Sequence, residues 1–118
     1  MTPFGEKMRQ LRAHHHITQA QMAKALDVSA AYLSALENGH RGRPSWAMVQ
    51  KIIAMFDLIW DEAEEIQELA KVSHPKVTVD TASLSPTATE LANLIARRIK
   101  RLDDEQISAM LKIIKKSD

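Results

Sequence analysis

The chain has no cysteine among its 118 residues, which excludes disulfides, thiolate metal sites and a cysteine nucleophile. Long apolar runs are also missing. The longest, Ile52 to Phe56, is far short of the roughly 20 residues a membrane-spanning helix needs. The first eleven residues carry Glu6, Lys7 and Arg9 and no apolar core, which argues against a secretory signal. No nucleophile with a base partner, glycine-rich phosphate loop or matched acid and base stands out, so the sequence predicts neither an enzyme nor a cofactor. These absences predict a soluble, cytoplasmic protein with no membrane partner.

Only three glycines and four prolines interrupt the chain. Charged and long aliphatic residues are common, and apolar positions recur every three or four residues, the period of an amphipathic helix. The expected fold class is therefore all-α. A first helix spans about Pro3 to Ala13, with Met8 and Leu11 apolar. Thr18 caps a second, carrying Met22, Ala23 and Leu26 on one face. Ser29 caps a third, Ala30 to Asn38, closed by Gly39 where a left-handed residue is usually needed. Pro44-Ser45 opens a fourth with Val49, Ile52, Ile53 and Phe56 inward. Asp61 begins a fifth, with Ala63, Ile66, Leu69 and Ala70 as its stripe. Phe4, Trp46, Phe56 and Trp60 fall at spacings that predict burial.

These five helices define an expected module over residues 1–72. Residues 73–84, with Pro75 and the alternating Val77-Thr78-Val79, read as an extended connector, a short strand being the alternative. Residues 85–118 read as a helical hairpin. Pro86 starts one helix of about 17 residues with Ala88, Leu91, Leu94, Ile95, Ile99 and Leu102 apolar, and Asp103 caps a second of about 13 with Ile107, Met110, Leu111 and Ile114. An isolated hairpin buries too little apolar surface to stand alone, so these side chains are expected to pack on a second copy of the chain.

The net charge of +1 conceals an uneven distribution. Residues 1–56 hold seven basic side chains against three acidic ones, a balance of +4 that leaves the remainder at −3. One face can thus approach phosphate while the rest does not coat DNA indiscriminately. Within the basic half, Ile17 to Leu36 has the layout of a helix-turn-helix. Ala23 is small where two helices cross, Val28 plugs the turn, and Leu26, Leu33 and Leu36 share a core. Ala30, Ala31, Tyr32, Ser34 and Ala35 then lie on or near the outer face of the second helix, followed by basic residues, a shape suited to a DNA major groove.

The run Ile17-Thr18-Gln19-Ala20-Gln21-Met22-Ala23, the patch Val28 to Gly39 and the pair Arg43-Pro44 make the chain resemble the phage repressor and Cro group of helix-turn-helix regulators, the Xre family, over residues 4 to 72. The resemblance implies a five-helix repressor-like domain that binds double-stranded DNA at a two-fold operator as a homodimer. It implies that Gln19 and Asn38, with the loop after Asn38, hold the DNA backbone, that Ser29 to Ala35 read bases, and that Arg43 reaches toward the minor groove. It also implies a structural ion pair between Arg12 and Glu37. The chain departs from the pattern in two places. Asp27 stands where glycine is common, although aspartate tolerates the left-handed conformation better than most residues. The recognition helix also lacks the Asn, Gln and Arg that pair bidentately with bases. Ala30 and Ala31 are left to meet thymine methyls, Tyr32 to meet a base or a phosphate, and DNA shape with Arg41 and Arg43 to supply the remaining specificity.

Other clusters have plainer readings. His14-His15-His16 point in different directions without a completing carboxylate, so they read as a solvated turn near the phosphates rather than a metal site. Asp61, Glu62, Glu64, Glu65 and Glu68 read as a solvated face favoured near a helix N-terminus, contact with RNA polymerase or another protein being the alternative. Arg97, Arg98, Lys100 and Arg101 read as cations favoured at a helix C-terminus, with a second nucleic-acid patch as the alternative. The leading functional expectation is a transcriptional repressor. Its rival is a DNA-binding antitoxin whose C-terminal helices neutralise a partner toxin.

Overall fold

Each helix begins where a short polar side chain takes up a free backbone amide, the local chemistry that starts most helices. The computed structural model describes residues 1–117 and contains seven α-helices and no strand among them. Thr2 caps α1 (Pro3–His15) by accepting from the Gly5 amide. Thr18 and Gln21 form a reciprocal capping box at α2 (Gln19–Ala25). Ser29 and Ser45 cap α3 (Ala30–Glu37) and α4 (Trp46–Met55). The exception is α5 (Trp60–Lys71), whose N-cap Ile59 has no side chain able to accept a bond.

The chain divides into two units, Met1–Val77 and Thr78–Asp118. In the first, Phe4, Met8, Met22, Leu33, Ile52 and Ile66 are completely buried and draw all five helices onto one core. The unit continues past the end of α5. Ser73 is buried, accepts a hydrogen bond from the Phe4 amide at 2.9 Å and donates to the Leu69 carbonyl at 2.6 Å, which ties the C-terminus of α5 to the start of α1. Lys7 and Glu65, 2.6 Å apart, form a second link between the same helices.

Two aromatic expectations fail. Trp46 and Trp60 are 76% and 84% exposed rather than buried. Along α4 the buried residues Met48, Val49 and Ile52 share one side, and Trp46 points about 100° away from it around the helix. Trp60 opens α5 one residue earlier than the sequence suggests, in left-handed backbone at φ 51°, and so projects away from the stripe of Ile66 and Ala70. Phe4 and Phe56 are buried.

The second unit contains α6 (Pro86–Arg98), a 3-10 turn (Ile99–Arg101) and α7 (Asp104–Lys115), in chain order. Ser85 caps α6, and Asp103 with Gln106 forms a capping box on α7. α6 is shorter than the expected 17 residues because its last turn tightens to 3-10 geometry before Leu102 becomes extended. Residues 73–84, which run across the boundary of the two units, are irregular, with a turn closed by the Leu84 amide on the Thr81 carbonyl. None of the described residues of α6 and α7 is fully buried. Leu91, Ile99, Ile107, Leu111 and Ile114 are exposed, while Leu94, Ile95, Leu102 and Met110 are half-buried.

Gly5 marks the tightest approach in the first unit. A methyl group added there would lie 2.1 Å from the Glu37 carbonyl oxygen, a backbone atom that cannot step aside. Gly5→Ala is therefore expected to force α1 away from the end of α3 and lower stability by roughly 1–3 kcal/mol, the usual cost of overpacking. A thermal unfolding curve that matched wild type would show that the contact is looser than described.

Candidate nucleic-acid interface

The turn between α2 and α3 is held by backbone rather than by glycine. Asp27 sits at φ 60°, and the next amide, that of Val28, returns to the Ala23 carbonyl at 3.0 Å. Val28 packs on the core, and Ala23, 2% exposed, lies at the crossing of α2 and α3. With Leu33 and Leu36 drawn inward, the opposite side of α3 faces solvent.

On that side Ser29, Ala30 and Ala31 are exposed, whereas Tyr32, Ser34 and Ala35 are half-buried. The short side chains leave the helix backbone accessible, so a double helix could approach α3 closely. The exposed guanidinium of Arg41 stacks over the Tyr32 ring, 5.3 Å from its centroid. This cation–π contact joins the loop after α3 to the helix itself. Arg43 is exposed in the same loop, two residues before the Ser45 cap of α4. Asn38 forms the C-cap of α3 and spends one amide proton on the Ser34 carbonyl at 2.9 Å. Gly39 and Gly42 carry the loop through left-handed backbone at φ 82° and 71°.

Beneath this surface lies a buried ion pair. Arg12 of α1 meets Glu37 of α3 through two parallel contacts, Nη1 to Oε2 and Nη2 to Oε1, the latter at 3.1 Å. Glu37 is 1% exposed and Arg12 9%. The Gln19 amide nitrogen donates to Glu37 Oε1 at 3.0 Å, so α2 is tied to the same carboxylate. One amide proton of Gln19 remains for another acceptor. The Glu37 main-chain carbonyl accepts from the Thr2 amide at 3.0 Å and the Thr2 hydroxyl at 3.3 Å. The roles of Thr2, Gly5 and Ser73 are not apparent from spacing alone; Thr2 directly before Pro3 is the one recognisable cap signal among them.

The three histidines take separate paths. His15 packs on Phe56 with ring centroids 4.9 Å apart, His14 meets the edge of His15, and His16 ends α1 at φ 56°. No group of three metal-ligating side chains occurs among the described residues. No helix among them is long and apolar enough to cross a membrane.

A surface helix following a tight turn, its outer face bare and its following loop basic, defines a helix-turn-helix protein. The family model described as a helix-turn-helix domain matches residues 3–69. Two Bacillus subtilis (strain 168) proteins are similar to the chain. The uncharacterized HTH-type transcriptional regulator RghRB is 36% identical over 61 residues, 52% of this chain and 44% of its own length. The HTH-type transcriptional repressor RghR is 33% identical over 98 residues, 80% of this chain and 73% of its own. The chain thus spans less than half of the former relative and about three quarters of the latter. No solved structure matches significantly. The chain belongs to the helix-turn-helix family of DNA-binding transcriptional regulators.

Removing one partner of the buried pair isolates the other. Glu37→Gln is expected to cost about 3–5 kcal/mol by leaving the Arg12 guanidinium uncompensated. The double change Arg12→Met with Glu37→Leu should recover much of that loss. Chemical denaturation of wild type and the two variants checks this, and a single variant as stable as the double one would refute it.

Proposed function

We propose that the chain is a transcriptional repressor of the phage repressor and Cro-like (Xre) type, acting as a homodimer on a two-fold operator with α3 in the major groove. The observation that carries this reading is the face of α3, with Ser29, Ala30 and Ala31 exposed, Tyr32 half-buried beside them and Arg41 stacked on Tyr32. Side chains this short favour van der Waals contact with thymine methyls and close approach of the backbone, so sequence is read largely through DNA shape and deformability. Arg41 and Arg43 serve phosphates or a narrow minor groove. Gln19, at the start of α2, and Asn38 position the DNA backbone.

Repression is supported by the likeness to RghR, a repressor by name, which extends over 98 residues and so beyond the 67 residues of the domain match. Pairing through the tail is supported by the apolar residues of α6 and α7, which are exposed or at most half-buried within their own unit. A symmetric pair would cover Leu91, Leu94, Ile95, Ile99, Leu102, Ile107, Met110, Leu111 and Ile114 and hold two α3 helices about one DNA turn, roughly 34 to 36 Å, apart.

The direct test is salt-titrated binding of the full chain and of residues 1–77 to genomic DNA fragments, with mass measured by light scattering. A dimeric full chain selecting a few near-palindromic sites, with a monomeric and much weaker 1–77, is the expected result. A monomeric full chain with no selected site would give the hairpin's apolar face to another protein, as in the antitoxin reading. On a selected site, Tyr32→Ala and Arg41→Ala should be non-additive by about 0.5–1 kcal/mol, the range for an exposed cation–π pair, while Tyr32→Phe keeps near-wild-type affinity. Strict additivity would remove Tyr32 as the support of Arg41.

A further inference from the structure

The second unit carries a charge cluster that its fold does not use. Arg97, Arg98, Lys100 and Arg101 place four cations within five residues, across the last turn of α6 and the 3-10 turn that follows. All four are exposed, and none takes part in an ion pair among the described residues. The helix itself offers them no partner, since the residues four positions earlier are Asn93, Leu94, Ala96 and Arg97. The nearest acids lie beyond Leu102, where extended backbone breaks the helix. Of these, Asp103 is spent capping α7, while Asp104 and Glu105 occupy its first turn, where negative charge is favoured.

A helix C-terminus favours a cation or two, but four adjacent like charges repel one another, and Arg97 and Arg101 are four apart. The fold gains little from such a cluster unless an anion is supplied from outside. Three of the four are arginines, the side chain whose planar fork meets phosphate oxygens two at a time. Their neighbours Leu94, Ile95 and Leu102 are half-buried, whereas all four cations are exposed to solvent.

We propose that Arg97, Arg98, Lys100 and Arg101 form a second DNA contact, one that grips backbone phosphates of the duplex without reading sequence. The inference rests on the DNA-binding reading of the first unit. Its consequence is a division of labour, in which α3 chooses the site and the α6 cations lengthen the stay at any duplex the protein meets.

The test uses the full chain and the quadruple variant Arg97→Gln, Arg98→Gln, Lys100→Gln, Arg101→Gln, which removes charge while keeping good helix formers. Binding to a selected site and to an unrelated duplex is followed across a salt titration. Each lost phosphate contact should flatten the slope of log K against log salt by about 0.9. The variant is therefore expected to lose about 2 to 4 units of slope and at least about tenfold in affinity, with the ratio between the two duplexes unchanged. The single variant Arg97→Gln, losing about 0.9 or less, serves if the quadruple change alters mass or helicity. Unchanged slope and affinity would overturn the proposal. So would loss of binding to vesicles containing phosphatidylserine while the DNA slope stays intact, which would assign the cluster to a membrane surface. If wild type binds neither duplex, it is the DNA-binding reading that fails.

Discussion

The first unit turns on a single carboxylate. Glu37 closes α3, yet its side chain is held from α1 by Arg12 and from α2 by Gln19, and its main-chain oxygen receives Thr2 at the start of α1. Three helices that apolar packing alone would permit to slide are fixed in one arrangement by directional bonds. Hydrophobic burial is non-directional, and a core of Met8, Met22, Leu33 and Ile52 can be repacked at modest cost. A bidentate pair in a dry site cannot, because displacing either member leaves a charge uncompensated. The pair's net gain over an apolar substitute is small, so its value lies in fixing the angle at which α3 is presented.

That angle matters because α3 carries so little of its own. A recognition helix with long amide or guanidinium side chains tolerates small errors of placement, since those side chains adjust. If α3 enters a major groove as proposed, a helix bearing Ser29, Ala30 and Ala31 must bring its backbone close, and short side chains cannot compensate for a tilted helix. The rigid support below and the bare surface above are thus two halves of one constraint. The Arg41–Tyr32 stack extends the same logic to the loop, holding a long cation in place before any partner arrives.

Local chemistry made much of this legible in advance. The caps at Thr18, Ser29, Ser45 and Asp103, the left-handed turn at Asp27 and the apolar stripes are all written within a few residues of where they act. What escaped depends on distant partners. Nothing near Gly5 says that a carbonyl 32 positions away will press against it, and nothing near Ser73 says that its hydroxyl will receive the Phe4 amide. The two tryptophans are the opposite case, for a general preference for buried aromatics does not hold at their positions at helix starts. In the first turn of a helix the inward stripe is fixed by the residues that follow, and Trp46 and Trp60 fall outside it.

The second unit poses a different physical problem from the first. Its helices are well capped and strongly two-sided, so local chemistry specifies them, but no described residue of either is buried. Short helices are marginal in water without tertiary packing, and two helices whose apolar residues are at best half covered lack it. Its stability must then depend on what it meets. If that is a second copy, folding of the tail, pairing of the chain and tight DNA binding become linked equilibria, and each is strengthened by the others. Protein concentration would then set not only how many operators are occupied but how much of the tail is folded, which makes occupancy rise more steeply with concentration than one-to-one binding allows.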